Sequence, residues 1–136
     1  MAEKNFQLDI ITPSRTVFSG EVQSFTTPGF EGTFQVLLNH APLLSSSSMG
    51  EVKVIDAEGK VIRCATSGGF VEVKSNKVIL LAESAERSDE IDIERAEKSK
   101  ERASTRLEKA DDSIDVDRAR VALLRSLNRL RIAAKS

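Results

Sequence analysis

The chain has 136 residues, of which 40% are hydrophobic and 30% are charged, and its formal net charge is −1. This composition is typical of one ordinary domain or two small ones and excludes a disordered chain. The near-zero net charge argues against nucleic acid or an anionic membrane as a general partner, and no run approaches the roughly 18 apolar residues of a membrane span.

Residue types are distributed unevenly along the chain. All seven glycines, three prolines and six phenylalanines precede Val71, whereas the last 49 residues carry 11 acidic and 12 basic side chains. This shift places a boundary near residues 87–90 and predicts two domains. We expect a β-domain over residues 1–87 and a helical domain over residues 88–136.

The first part has the pattern of short strands separated by turns. Phe6–Ile10 and Val22–Thr26 alternate apolar and polar residues. Asp56–Lys60 and Lys74–Lys77 lie between apolar runs and are typical of hairpin loops. Strands spaced every 8–12 residues predict an antiparallel β-sandwich or flattened barrel.

The second part predicts two helices that start in the same way. The motif Ile-Asp-x-acid-Arg-Ala begins at Ile91 and again at Ile114, and both copies open segments without Gly or Pro. Asp92 and Asp115 suit N-cap positions, where a short carboxylate accepts from backbone N–H groups. A turn near residues 109–113 would join the helices into an antiparallel hairpin.

The seam of this hairpin is predicted from residues that recur every seven positions, which places them on one helix face. An alanine-rich row in the first helix favours close approach of the two backbones. The predicted seam consists of Ala96, Ala103 and Ala110 with Leu107 in the first helix, and of Val116, Leu123 and Leu130 with Leu127 and Ala134 in the second.

The usual catalytic constellations are missing from the sequence. His40 is the single histidine and cannot supply a two-histidine zinc site, and Cys64 is the single cysteine. No Gly-x-x-x-x-Gly-Lys-Ser/Thr loop is present. We therefore expect a protein that is not an enzyme, and we interpret His40 as a loop or interface residue.

The arginines of the helical part have a spacing that suggests a ligand. Arg95 and Arg102 share a face of the first helix, and Arg125 and Arg129 share a face of the second. If those faces converge, four guanidinium groups surround one small volume suited to a polyphosphate. Asp92, one turn before Arg95, could orient that arginine or accept from a ligand amine. The alternative is that these arginines lie on ordinary solvated helix surfaces.

The second helix is also asymmetric in charge, because it carries only basic side chains after Asp117. Solvated helices usually mix their signs, so this asymmetry favours an acidic partner. The basic residues are Arg118, Arg120, Arg125, Arg129, Arg131 and Lys135.

Taken in order, six short segments resemble the epsilon subunits of bacterial F-type ATP synthases, which are called delta in mitochondria. Each segment alone is weakly specific, but together they extend over nearly the whole chain and are followed by the Ile-Asp-x-x-Arg-Ala motif. The segments are Leu8–Pro13, Val17–Val22, Pro28–Gly32, His40–Leu44, Gly68–Val73 and Leu81–Glu86.

The resemblance implies a ten-stranded β-sandwich followed by a two-helix domain. It implies a subunit at the foot of the central stalk, bound to the gamma subunit and the c-ring, that restrains ATP hydrolysis. Such a subunit would be peripheral on the cytoplasmic face of the cell membrane. With its helices extended it would offer Arg118 and Arg120 to the alpha and beta subunits, and His40 would lie in a loop facing the c-ring.

In Bacillus-like members the hairpin motif is tied to ATP binding. The resemblance therefore implies ATP as a regulatory ligand, with or without Mg²⁺, and we expect Arg106 to lie off its site. The second motif copy would only mark a helix start. The implied ATP-binding residues are Glu86, Ile91, Asp92, Arg95, Ala96, Arg102, Arg125 and Arg129.

The chain departs from the family pattern at one place, and two other functions are compatible with its sequence. Many family members have Pro-Gly before the loop histidine, where this chain has Leu38 and Asn39. The first alternative function is a free-standing nucleotide-binding sensor with the hairpin as its switch. The second is an enzyme of unrecognised type, which the lack of paired acid–base groups disfavours.

Overall fold

A computed structural model describes residues 4–109 and 115–135. The chain divides into two compact units, Met1–Arg87 and Ser88–Ser136. The first unit is built from β-strands and the second from helices, which confirms the predicted order of a β-sandwich followed by two helices.

The first unit contains nine strands among the described residues, where the resemblance implied ten. They form one continuous sheet in the order β4-β7-β8-β1-β2-β5-β6-β9, with β3 paired to β2. The strands are β1 (Phe6–Ile11), β2 (Thr16–Gly29), β3 (Gly32–Val36), β4 (Leu43–Ser47), β5 (Gly50–Asp56), β6 (Val61–Thr66), β7 (Gly69–Lys74), β8 (Lys77–Ala82) and β9 (Ala85–Arg87).

Strand β2 links the two layers of the sandwich because it is 14 residues long. Its first half pairs with β1, and its second half pairs with β3 and β5, where Phe25 lies opposite both Val36 and Val54. Gly20, although glycine is unfavourable in a strand, lies within the ladder opposite Leu8. The sheet therefore folds over at β2 and encloses one core.

One pair of strands departs from the antiparallel arrangement. Strands β1 and β8 are parallel, with Leu8 opposite Val78 and Ile10 opposite Leu80. These strands are far apart in sequence, so no hairpin constrains their relative direction. The other neighbouring pairs described are antiparallel.

The core of the sandwich is made by alternate residues of strands from both layers. Leu8, Ile10, Phe25, Val54 and Leu80 are fully buried. Burying a side chain of this size stabilises the fold by about 1.5–3 kcal/mol. Every residue of this cluster precedes residue 87, so the first unit has a complete core of its own.

The second unit begins with a short 3₁₀ helix, Ser88–Glu90, followed by α1 (Ile93–Glu108) and α2 (Val116–Ala133). Both predicted N-caps are confirmed, since Asp92 precedes α1 and Asp115 precedes α2 as the capping residue. The predicted turn near residues 109–113 lies almost wholly outside the described residues. The two helices pack against each other, and their short connection makes them antiparallel.

The predicted seam holds for α1 but is shifted in α2. In α1, Ala96 and Ala103 are buried, while Ala110 lies outside the described residues. In α2 the buried row with a seven-residue spacing is Ala119, Ser126 and Ala133. Small side chains allow helix backbones to approach closely, so this row displaces the leucine row that we predicted.

The leucines of α2 lie beside or away from the buried row. Val116, Leu123 and Leu130 are half-buried, and Leu127 and Ala134 are exposed. The hydroxyl of Ser126 donates to the carbonyl oxygen of Ala122 at 3.0 Å, which satisfies this buried polar group within its own helix.

Candidate functional site

A groove of about 760 Å³ lies between α1 and α2. Four arginines line it, two from each helix, together with two carboxylates at the start of α2 and an apolar surface of alanine and valine side chains. The lining residues are Ser99, Arg102, Ala103, Arg106, Asp115, Asp117, Arg118, Ala119, Val121, Ala122 and Arg125.

The groove arginines belong to two longer rows. On α1, Arg95, Arg102 and Arg106 are seven and four residues apart, and such spacings keep side chains on one helix face. The same spacings relate Arg118, Arg125 and Arg129 on α2. Because the helices are antiparallel, the two rows run side by side, with Arg106 toward Arg118 at one end and Arg95 toward Arg129 at the other.

The structure places the four predicted ligand arginines in different parts of these rows. Arg102 and Arg125 line the groove, one from each helix. Arg95 and Arg129 lie on the same helix faces but outside the groove. Arg106, which we expected off the ATP site, lines the groove beside Arg102. Its spacing of four residues from Arg102 could have shown this.

The remaining residues of the implied ATP-binding set do not line the groove. The Asp92 carboxylate accepts from the backbone N–H of Arg95 at 3.0 Å. Ile91 and Ala96 are buried and therefore contribute to packing. Glu86 lies in β9, opposite Ala65 of β6, and belongs to the first unit.

The groove carries an excess of positive charge. The Arg102 guanidinium donates to a neutral hydroxyl, Ser99 Oγ, at 3.3 Å. Among the described residues, the guanidinium groups of Arg106, Arg118 and Arg125 form no ion pair. The two groove carboxylates offset only part of the charge of the four arginines; Asp117 also pairs with Arg120 at 3.8 Å, and Asp115 caps α2. An anion with several oxygens is the ligand class that such an arrangement favours.

Two residues expected to meet partners lie elsewhere. His40 is in the loop between β3 and β4, half-buried, with its ring Nδ1 2.7 Å from the carbonyl oxygen of Ala41. Arg120 is exposed on α2, about 200° around the helix from Arg118, and pairs with Asp117. Arg118, also expected to face a partner when the helices are extended, lines the groove here.

Two kinds of feature are absent from residues 4–109 and 115–135. No group of three or more His, Cys, Asp and Glu side chains is arranged to hold a metal ion. No helix in this part of the chain is long and apolar enough to cross a membrane.

Comparison with protein families accounts for both units. Residues 5–88 match the beta-sandwich domain of the ATP synthase delta/epsilon chain. Residues 89–134 match the long alpha-helix domain of the same chain. The chain belongs to the ATP synthase delta/epsilon family. The resemblance seen in the sequence is thereby confirmed.

Known members of the delta/epsilon family resemble this chain along its whole length. The ATP synthase epsilon chain of Nitratidesulfovibrio vulgaris is 47% identical over 96% of this chain and 96% of its own length. The epsilon chain of Desulforamulus reducens is 43% identical over 96% of this chain and 98% of its own. This membership supports the prediction of an accessory subunit rather than a catalytic one.

The fold is also found in a solved structure. A chain of the Euglena gracilis mitochondrial ATP synthase superposes with a TM-score of 0.79 and 22% identity, covering 100% of this chain and 84% of that one. At this identity the likeness concerns the fold alone.

Proposed function

We propose that this protein is the epsilon chain of a bacterial ATP synthase, a non-catalytic central-stalk subunit that couples rotation and restrains ATP hydrolysis. Near-complete coverage by two family domains and 47% identity to a named epsilon chain support this proposal. The sandwich would bind the gamma subunit and the c-ring, with His40 in a contacting loop. The protein would then be peripheral at the cytoplasmic face of the cell membrane.

We further propose ATP as a regulatory ligand of the helical unit. The observation that carries this proposal is a groove lined by two arginines from each helix, with Arg102 contributed by α1 and Arg125 by α2. Each charge-assisted hydrogen bond to phosphate contributes about 1.5–3 kcal/mol. The full proposed set is Glu86, Ile91, Asp92, Arg95, Ala96, Arg102, Arg125 and Arg129, and Mg²⁺ would reach the site with the nucleotide if it takes part.

The regulatory step would be a change between two arrangements of the helices. In one arrangement the arginines surround the triphosphate. In the other, the extended helices offer Arg118 and Arg120 to acidic surfaces of the alpha and beta subunits. ATP favours the first arrangement only by binding it more tightly, and a hundredfold preference is worth about 2.7 kcal/mol.

Isothermal titration of the full-length chain with ATP tests the ligand. We expect one site per chain, no phosphate release over time, and little heat from AMP, which lacks the two outer phosphates. AMP binding as tight as ATP binding would contradict a polyphosphate groove. Steady phosphate release from pure protein would contradict the non-catalytic assignment.

Reconstitution tests the assembly. The chain should bind an ATP synthase preparation from which its own epsilon chain has been removed, and should lower the ATPase rate of that preparation. A chain that binds ATP but not the complex would instead act as the free-standing nucleotide sensor.

A further inference from the structure

The loop between β3 and β4, residues 37–42, contains a backbone conformation that few residues adopt. Asn39 has φ = 64°, in the left-handed region where glycine, asparagine and aspartate are the usual occupants. The Pro-Gly of many family members would supply glycine at this position. Asn39 satisfies the same backbone requirement and adds a side chain that glycine lacks.

That side chain pairs with Asn76, in the turn between β7 and β8. The backbone N–H of Asn39 donates to Asn76 Oδ1 at 2.7 Å, and Asn76 Nδ2 donates to Asn39 Oδ1 at 3.1 Å. A backbone N–H can only donate, so the Asn76 side-chain atom that faces the Asn39 N–H must be the oxygen, Oδ1. The other atom of the Asn76 amide, Nδ2, is then the one that faces Asn39 Oδ1. The two bonds therefore require the same orientation of the Asn76 amide.

Asn76 is itself held firmly by the sheet. Ser75 and Asn76 form a two-residue hairpin turn with φ values of 50° and 60°, between the paired residues Lys74 and Lys77. The carbonyl oxygen of Asn76 accepts from the backbone N–H of Gln7 at 3.1 Å, at the start of β1. The loop is thus tied to the parallel β1–β8 pair.

The asparagine pair acts on the segment that carries His40. The N–H of His40 donates to the carbonyl oxygen of Leu37 at 3.2 Å, which closes a turn around Asn39. Leu38 packs against the core, so the loop is held by one apolar contact and one amide pair. Loss of the amide pair would leave a loop of six residues held mainly by Leu38.

We infer that Asn76 is a positioning residue for the loop 37–42, and that its side-chain amide holds His40 and its neighbours in the conformation that docks on the rotor. The docking part of this inference rests on the proposed function. A loop that is already ordered before binding loses less conformational entropy on association, so the amide pair raises affinity without contacting the partner.

Glycine substitutions test this inference in the full-length chain, because glycine keeps the left-handed backbone and removes only the side chain. Asn76→Gly removes both hydrogen bonds. Asn39→Gly removes one, since the Asn39 backbone N–H still reaches Asn76 Oδ1. We therefore expect Asn76→Gly to have the larger effect, and Asn39→Gly to add nothing when Asn76 is already glycine.

Two measurements read out the effect. Amide hydrogen exchange followed by NMR should show protection of the Asn39 and His40 amides falling about tenfold in Asn76→Gly, because the loop opens locally. The dissociation constant for epsilon-depleted ATP synthase, which contains the c-ring that the loop is proposed to face, should rise about fivefold because the loop is no longer preorganised.

A matched control comes from the same turn. Like Asn76→Gly, Ser75→Gly relieves a left-handed backbone conformation and increases the conformational entropy of the unfolded chain. Unlike Asn76→Gly, it removes no contact to the loop. Hydrogen exchange and binding affinity should therefore stay as in the wild type. Asn76→Asp keeps an acceptor for the Asn39 N–H and should restore protection at that amide. This rescue would not occur if position 76 mattered only for general stability.

Three results would overturn the inference. Unchanged exchange in Asn76→Gly would mean that the pair does not hold the loop. Faster exchange with unchanged affinity would mean that loop order does not contribute to docking. Additive effects in the double variant would mean that the two asparagines act separately. If the wild-type chain itself failed to bind, the proposed function and the docking part would both fail, while exchange would still decide whether the pair holds the loop.

Discussion

The Asp92 carboxylate accepts a hydrogen bond from the backbone N–H of Arg95 at 3.0 Å, and Asp115 accepts from Arg118 at the same distance. The two capping residues also have nearly identical backbone angles, φ −79° and ψ 98° against φ −77° and ψ 97°. Both aspartates therefore stabilise a helix start. Only Asp92 is also expected to meet ATP, so the two caps form a natural pair for comparison.

Asp92→Ala should destabilise the helical unit and also weaken ATP binding. Loss of the cap costs about 1 kcal/mol of helix stability, and loss of the carboxylate removes the proposed contact to the nucleotide. Asp115→Ala should lower the stability by the same amount without weakening ATP binding. The Asp115 carboxylate lies among the groove arginines and repels phosphate, so its removal does not disfavour the nucleotide. Circular dichroism during urea unfolding and ATP calorimetry measure the two effects. Equal losses of ATP affinity would mean that Asp92 acts only as a cap.

Arg102→Ala and Arg125→Ala should each lower ATP affinity roughly ten- to a hundredfold, because each removes a charge-assisted contact worth about 1.5–3 kcal/mol. Arg95→Ala and Arg129→Ala should do the same if the nucleotide extends along both rows beyond the groove. Calorimetry of the four variants at one ionic strength measures this, since surface electrostatics depend on salt.

The control for the arginine series is Arg131→Ala. Arg131 lies on the same helix, about 200° around it from Arg129, and its guanidinium donates to Asn128 Oδ1 at 2.7 Å rather than to a groove residue. Its removal changes the net charge by the same amount and should leave ATP affinity nearly unchanged. Arg106 is unsuitable as this control because it lines the groove. Similar weakening in all variants would indicate a bulk charge effect without a defined site.

Local signals in the sequence were sufficient to predict which segments form helices and which form strands. The short carboxylates of Asp92 and Asp115 marked both helix starts, because capping depends on neighbouring backbone groups alone. The continuity of β2 through Gly20 was not predictable in this way, since glycine disfavours a strand locally and is retained there by pairing with β1. The three-residue strand β9 was missed because it is defined by its partner, β6.

The helix faces that carry the arginines could be predicted from the sequence, but the groove between them could not. Spacing alone placed Arg95 with Arg102 and Arg125 with Arg129. Which arginines of the two rows line the groove depends on the register between α1 and α2. That register follows packing of the small residues, including Ala103 and Ala119, which both line the groove. The seam that we predicted for α2 was based on leucines, so it could not predict this register.

Two phenylalanines of the sandwich should differ sharply in their effect on stability. Phe25 is fully buried between the layers, whereas Phe70 is 60% exposed on β7. Phe25→Ala should lower the free energy of unfolding by about 3–5 kcal/mol, because it removes a buried ring and leaves a cavity. Phe70→Ala should change it by less than about 1 kcal/mol. Chemical denaturation of both variants measures this difference, and equal destabilisation would contradict the assignment of the core.

Deletion of residues 88–136 should separate assembly from regulation. The sandwich has its own core, every residue of which precedes residue 87, so the truncated chain should unfold cooperatively and still bind the gamma subunit. It lacks both arginine rows and the basic helix α2. Without them it can neither respond to ATP nor offer Arg118 and Arg120 to the alpha and beta subunits, so it should no longer restrain hydrolysis.

The decisive measurement of this last prediction is the ATPase rate of the complex reconstituted with full-length or truncated chain, at low and high ATP. The full-length chain should inhibit at low ATP and release that inhibition as ATP fills its site, because the ligand favours the arrangement that it binds more tightly. The truncated chain should give the uninhibited rate throughout. Arg102→Ala serves as the matched variant: it keeps both helices but binds ATP weakly, so its inhibition should persist to higher ATP. Equal rates for full-length and truncated chains at every ATP concentration would show that the hairpin is not the regulatory element.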